Sequence, residues 1–188
     1  NANGAWRKAT GRKVQVGVID TGIDGKHPDL APNFNRKLSR NFTMDIPDLD
    51  GPCEVATCID PADVDNDGHG THVAGTIAAA RNGLGIAGIA PDAELVNVRA
   101  GQDSGFFFLY ETVAALTYAG DIKLDVVNMS FYTDPWRYNC PSRDDYISGD
   151  VSDEEMAKVF NLGIGMVLVV APVDADRTVA LLAERGHA

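Results

Sequence analysis

The sequence predicts an α/β domain in which a parallel sheet is flanked by helices. Two observations carry that prediction. Short apolar runs rich in β-branched residues recur at 13–22, 93–99 and 124–131, and such runs suit strands buried on both faces. Between them, 71–80 and 109–119 place apolar residues at helical spacing. Strand alternating with helix gives a parallel, helix-covered sheet, with functional residues at the strand C-termini.

K-V-Q-V-G-V-I-D-T-G (13–22) reads as a buried strand running into a turn. Residues 30–68 hold many Asp, Pro and Asn and little periodicity, so they read as long surface loops. T-H-V-A-G-T-I-A-A-A (71–80) is a helix and R-N-G-L-G-I-A-G-I-A-P (81–91) a glycine-rich loop. A-E-L-V-N-V-R (93–99) is a strand, L-Y-E-T-V-A-A-L-T-Y-A (109–119) a helix, and L-D-V-V-N-M-S-F (124–131) another buried strand. A Pro-, Asp- and Ser-rich stretch over 134–152 precedes a helix at 153–160, a strand at 165–171 and a closing helix at 174–186. The helix in that last connection predicts 165–171 as a parallel neighbour of 124–130.

The chain has 188 residues, enough for one domain with a real core. Its net charge of −11 argues against a nucleic-acid partner, which wants a basic face. No stretch approaches the ~20 apolar residues of a membrane span. The opening N-A-N-G-A-W-R-K has no apolar signal-peptide core, so an export signal has been removed or never existed. Cys53 and Cys58 flank a short loop, C-E-V-A-T-C, that suits a local bridge in an oxidising compartment and leaves Cys140 over. Three free thiols are the alternative.

The densest chemistry lies in D-N-D-G-H-G-T-H-V-A-G-T (65–76), where His69 sits between two glycines. Asp63, Asp65, Asp67 and Gly68 match the opening of an EF-hand loop, but its twelfth position, a bidentate Glu, is Ala74 here. A helical zinc pair needs H-E-x-x-H, and His69 and His72 are only three apart with Gly and Thr between. Proton transfer fits better. A serine hydroxyl needs a base, and that base needs a buried carboxylate on its far nitrogen. Asp20 ends a buried strand and His69 begins a helix, which supplies that order.

V-I-D-T-G-I-D-G-K-H-P-D-L (18–30) and D-G-H-G-T-H-V-A-G-T-I-A-A (67–79) closely resemble two of the three signature motifs of subtilisin-like serine proteases. The resemblance covers roughly residues 1–150 and implies a subtilisin-like fold and peptide-bond hydrolysis by an Asp/His/Ser triad. It makes Asp20 the orienting aspartate, His69 the general base and His72 a structural residue. It also implies that 103–107, with Ser104 and Gly105, pairs with an extended peptide, and that 128–132, with Ser130, Phe131 and Tyr132, forms the opposite wall. Tyr132 stands where the family has Gly, which narrows the primary pocket. Asp29, Asn82 and the carbonyls of Leu84 and Ile86 match the family's structural calcium site, although a polar glycine turn without an ion accounts for them equally. No catalytic cofactor is implied. A secreted monomer acting on peptide or protein substrates, without nucleic acid or membrane, completes the expectation.

Two parts of the pattern are missing. None of Ser104, Ser130, Ser142, Ser148 and Ser152 stands in a G-T-S-M-A-x-P motif, and the A-G-N-x-G with the oxyanion Asn is replaced by P-V-D-A-D-R after 171. The sequence therefore reads as truncated before the nucleophile-bearing part and inactive as it stands. Residues 152–186, with their F-N-L-G-I-G-M core, resemble the C-terminal end of phosphoribosylformylglycinamidine cyclo-ligase (AIR synthetase). This predicts a foreign tail over 151–188, joined near Gly149–Asp153; the alternative is a divergent tail. A non-catalytic peptide-binding or inhibitory module, and a cyclo-ligase fragment, are the competing functions.

Overall fold

The computed structural model describes residues 2–131, with residues 177 and 180 as isolated helical positions. A short helix α1 (Ala2–Trp6) precedes strand β1 (Gln15–Ile19). The two-residue β2 (Arg40–Asn41), the single turn α2 (Pro47–Asp50), helix α3 (His69–Ala78), β3 (Glu94–Arg99), α4 (Leu109–Asp121) and β4 (Val126–Met129) follow. The strands form one sheet in the order β2-β3-β1-β4, and every pairing is parallel. The expected α/β architecture is therefore present, with strand ends at most three residues inside the predicted ones. The strand expected at 165–171, its place beside 124–130 and the helices at 153–160 and 174–186 fall on residues that are not described, 177 and 180 apart.

α3 lies in the connection from β2 to β3, and α4 in the connection from β3 to β4. Val16, Val18 and Leu95 pack on Ala74 and Ala78 of α3, with Ile23, Leu30 and Ala93 around them. The alternate positions Gly17, Val98 and Val127 meet on the other face, as the two-residue period of a strand requires. Alanines at 74, 78, 115 and 119 let both helices lie close to the sheet. No helix among the described residues is long and apolar enough to cross a membrane.

Residues 30–68 differ from the surface loops that their composition suggests. Leu30, Ser39, Thr43, Asp45, Asp60 and Asp63 are all buried. Leu95 N–H donates to Asn33, Asn35 N–H donates to Leu95, and Phe42 N–H donates to Arg99, so the segment is laid along β3. Cys53 and Cys58 form a disulfide that closes a small loop within it; Cys140 lies outside the described residues. Local periodicity misses this because the pairings span some sixty residues. Burial, with Asp60 and Asp103 beside it, pushes the Asp45 carboxyl up to about 6.

Leu95 is fully buried at the centre of this core. Leu95→Ala should destabilise the domain by about 2–5 kcal/mol, read as a lower denaturation midpoint with unchanged slope in a urea titration.

Candidate active site

Asp20 is the first residue after β1 and is completely buried. Its Oδ1 lies 2.7 Å from Nδ1 of His69, forty-nine residues away in sequence, and accepts a hydrogen bond of 2.8 Å from the Thr21 amide. Its Oδ2 is buried with no hydrogen-bond partner. The His69 side chain is half exposed, so its other ring nitrogen side is open to a reacting group. A buried carboxylate holding one imidazole nitrogen fixes the tautomer that leaves Nε2 free to accept a proton.

α3 starts at His69 because the chain folds back on itself there. Gly68 is the N-cap with φ of 95°, and no side chain at that position caps the helix. The capping comes from further upstream. Asp65 accepts from the amides of Gly68 (3.0 Å) and Thr71 (2.8 Å), and from the hydroxyls of Thr71 and Thr21. Asp67 accepts from the His69 amide at 3.0 Å. These carboxylates occupy amides that a helix start leaves without partners. Thr21 Oγ in turn accepts from the Gly70 amide, which ties the loop after β1 to the first turn of α3. A Cβ at Gly70 would stand 2.1 Å from the Gly22 carbonyl oxygen and 3.0 Å from the Asp20 Cβ, so only glycine permits this approach.

Asp65 is the positioning residue that sequence reasoning missed, having been weighed only as an EF-hand ligand. Its signal was an Asp three residues ahead of a helix-opening glycine, the usual place for an Asx-type hydrogen bond. His72 is exposed. Among the described residues no metal-holding cluster contains a histidine.

The hydrogen bond from Asp20 raises the His69 pKa above its ordinary 6.5, against the lowering effect of partial burial, and the charges of Asp20, Asp67 and Asp65 add to the rise. Burial in turn raises the pKa of Asp20, which the His69 hydrogen bond moderates.

The segment from 101 to 107 turns back on itself. Gly101 bridges Phe107 in antiparallel fashion, Gln102 N–H donates to the Phe106 carbonyl, and Gly105 N–H donates to the Gln102 carbonyl. Ser104 gives both its amide and its hydroxyl to Asp50 Oδ1 (3.0 and 2.8 Å). Gly105 has φ of 79°, and a Cβ there would lie 3.5 Å from Asp67, two residues from His69. Ser104 and Gly105 thus form a tight exposed turn beside the loop that leads to the base. The end of β4 is level with Ile19, since Met129 pairs with it. Ser130 and Phe131 follow directly in sequence, and Tyr132 lies outside the described residues.

The residues matched to calcium do come together. Asp29 is buried; its Oδ2 accepts from the Ile86 amide at 3.1 Å, and its Oδ1 has no partner. Asn82 Oδ1 accepts from the Leu84 amide at 2.9 Å, while its Nδ2 donates to the Pro28 carbonyl. Asp29 thus keeps one buried carboxylate oxygen without a partner beside this loop, a donor of the kind a hard cation takes.

In comparisons with known proteins, residues 11–172 match the Subtilase family, Peptidase S8. The chain is 38% identical over 129 residues to an intracellular serine protease of Paenibacillus polymyxa, covering 69% of this chain and 36% of that protein. It is 41% identical over 128 residues to the major intracellular serine protease of Bacillus subtilis, covering 66% of this chain and 36% of that protein. It is also 37% identical over 121 residues to subtilisin E of Bacillus subtilis, covering 64% and 27%. The chain thus spans about a third of the length of these curated relatives.

In an NMR titration His69 should show a midpoint above 6.5, and Asp20→Asn should bring it down. A raised histidine pKa adds stability that is full below 6.5 and fades as pH rises through the folded-state value. Asp20→Asn should therefore flatten the dependence of the denaturation midpoint on pH across that window.

Proposed function

The chain belongs to the subtilase family, and from that premise we propose that it carries the aspartate and histidine of a serine endopeptidase triad. The single observation that carries this reading is the 2.7 Å contact between buried Asp20 and half-exposed His69. In this reading His69 takes the proton of a serine hydroxyl, and Asp20 stabilises the imidazolium that forms. The pKa of His69, held above 6.5 by Asp20, makes it a stronger base and requires pH above that value for the neutral form. Activity therefore rises with pH through the His69 titration.

Substrates in this reading are extended peptide or protein segments; the family resemblance assigns Ser104 and Gly105 to one wall and Ser130, Phe131 and Tyr132 to the other, and Tyr132 lies outside the described residues. The Ser104 and Gly105 amides already bond within the protein, so pairing on that side uses the remaining backbone groups of the turn. Asp29, Asn82, Leu84 and Ile86 hold a structural calcium, which would brace the loop over 82–86 and take no part in the chemistry. The acidic net charge of −11 supports a chain without nucleic-acid partners, acting as a monomer away from membranes. The Cys53–Cys58 disulfide supports a secreted, oxidising setting.

The 188 residues contain no G-T-S-M-A-x-P and no A-G-N-x-G. Alone they lack the nucleophile and the oxyanion donor. This favours, as second reading, a non-catalytic peptide-binding or inhibitory module. The family match reaches residue 172, beyond the junction near Gly149–Asp153, and lends no support to a cyclo-ligase tail or to a cyclo-ligase fragment.

The test is covalent. These 188 residues should take up no serine-directed phosphonate, and stoichiometric labelling of any serine in them would overturn the incomplete-triad reading. In a longer product that supplies the serine, His69→Ala should lower kcat by about 10⁶, the magnitude known for subtilisin, and Asp20→Asn by about 10⁴, the magnitude known for the same change in a chymotrypsin-type triad; neither is inferred from this chain. Wild-type turnover by either variant would refute the assigned roles.

A further inference from the structure

β3 ends on Arg99, whose side chain is completely buried. Its guanidinium meets Asp60 at 2.9 Å, Asp103 at 2.6 Å and Asp45 at 3.8 Å. Its Nε donates to the Gly101 carbonyl at 3.1 Å. Glu54 joins the three aspartates, and one oxygen from each of the four carboxylates lies within 4.8 Å of all the others.

One guanidinium does not balance four carboxylates, and its hydrogen bonds go elsewhere than Asp45. The Asp45 side chain is 1% exposed. Both of its oxygens are buried with no hydrogen-bond partner. A carboxylate buried without a partner is strongly unfavourable, by several kcal/mol in general. Either a proton or a cation relieves that state.

The geometry favours a cation. All donors are carboxylate oxygens, the set that hard divalent ions prefer over softer metals. Ligands on opposite sides of a calcium ion, each about 2.3–2.6 Å from it, stand roughly 5 Å apart, and the four oxygens lie within that span. Glu54 is exposed, whereas Asp45 and Asp60 are buried.

We propose that Asp45, Glu54, Asp60 and Asp103 bind a hard divalent cation of the calcium type, separate from the Asp29 loop. Three segments meet at this site. Glu54 lies inside the Cys53–Cys58 loop, and the Asp45 amide donates to the Cys58 carbonyl at 2.8 Å. Asn66 Nδ2 bridges Asp60 (2.9 Å) and Asp103 (3.0 Å), and Asn66 lies between the two carboxylates that hold the start of α3. Asp103 directly precedes Ser104. The ion therefore ties the disulfide loop to the loop that leads to His69 and to the 101–105 turn. This inference concerns binding and stands whether or not the chain takes part in proteolysis.

Calorimetric titration of the intact, chelator-stripped protein with calcium chloride tests it. Glu54→Gln alters an exposed ligand and leaves the fold in place; it should abolish one calcium site per chain or weaken it at least tenfold. Asp29→Asn should leave that site unchanged. In chelator, Asp45→Asn should melt higher than wild type, because the orphaned charge is gone, and it should lose part of the calcium-dependent rise in Tm. Equal stoichiometry and affinity for wild type and Glu54→Gln would overturn the proposal. Calcium binding abolished by Asp29→Asn alone would overturn it as well, and would mean that Asp45 is relieved by a proton.

Discussion

A carboxylate buried at the end of the central strand is the constraint on which the rest of the site depends. Asp20 has no exposed surface, and a charge there persists only if groups are brought to it. Thr21 brings a backbone amide from the next residue, and His69 brings an imidazole from forty-nine residues away. The second partner requires α3 to begin close to the end of β1. Gly70 permits that contact, and the Asp65–Thr21–Thr71 hydrogen bonds hold it. Removing any of these would move His69 relative to Asp20.

The same end of the sheet gathers other negative charge. Asp65 and Asp67 stand at the start of α3, where amides without helical partners donate to their carboxylates. Asp45, Asp60 and Asp103 surround Arg99 at the end of the neighbouring strand. The Asp20 hydrogen bond, with the charges of Asp67 and Asp65, raises the proton affinity of His69, whereas burial, with Asp60 and Asp103, raises that of Asp45. His69 is half exposed, whereas the Asp45 carboxylate is enclosed without a hydrogen bond. One acidic edge thus serves a titratable base and a locked electrostatic cluster side by side.

The strands β1, β3 and β4 and the helices α3 and α4 were legible because apolar periodicity is local. Each run announces its own burial, and strand–helix alternation then limits the sheet to parallel pairing. Asp20 and His69 were legible for a different reason, since motif order marks residues whose neighbours on the backbone are special: a strand end, two flanking glycines, a helix start. Residues 30–68 were misread as surface because a segment rich in Asp and Asn looks solvated until its partners are known. Asp45 and Asp60 are buried beside an arginine at position 99, and Asp50 and Asp65 accept from amides elsewhere in the fold.

The sequence by itself determined the fold class, the strand that carries Asp20 and the helix that begins at or near His69. Only the tertiary structure decided that Asp65 caps that helix and that Gly70 must have no side chain. It alone also gathered Asp45, Glu54, Asp60 and Asp103, and set the three aspartates around one guanidinium. The reason is one of range. Hydrophobic periodicity and turn chemistry act over a few residues, whereas a buried charge is satisfied by whatever the folded chain brings within about 3 Å of it, regardless of how far away in sequence that group lies.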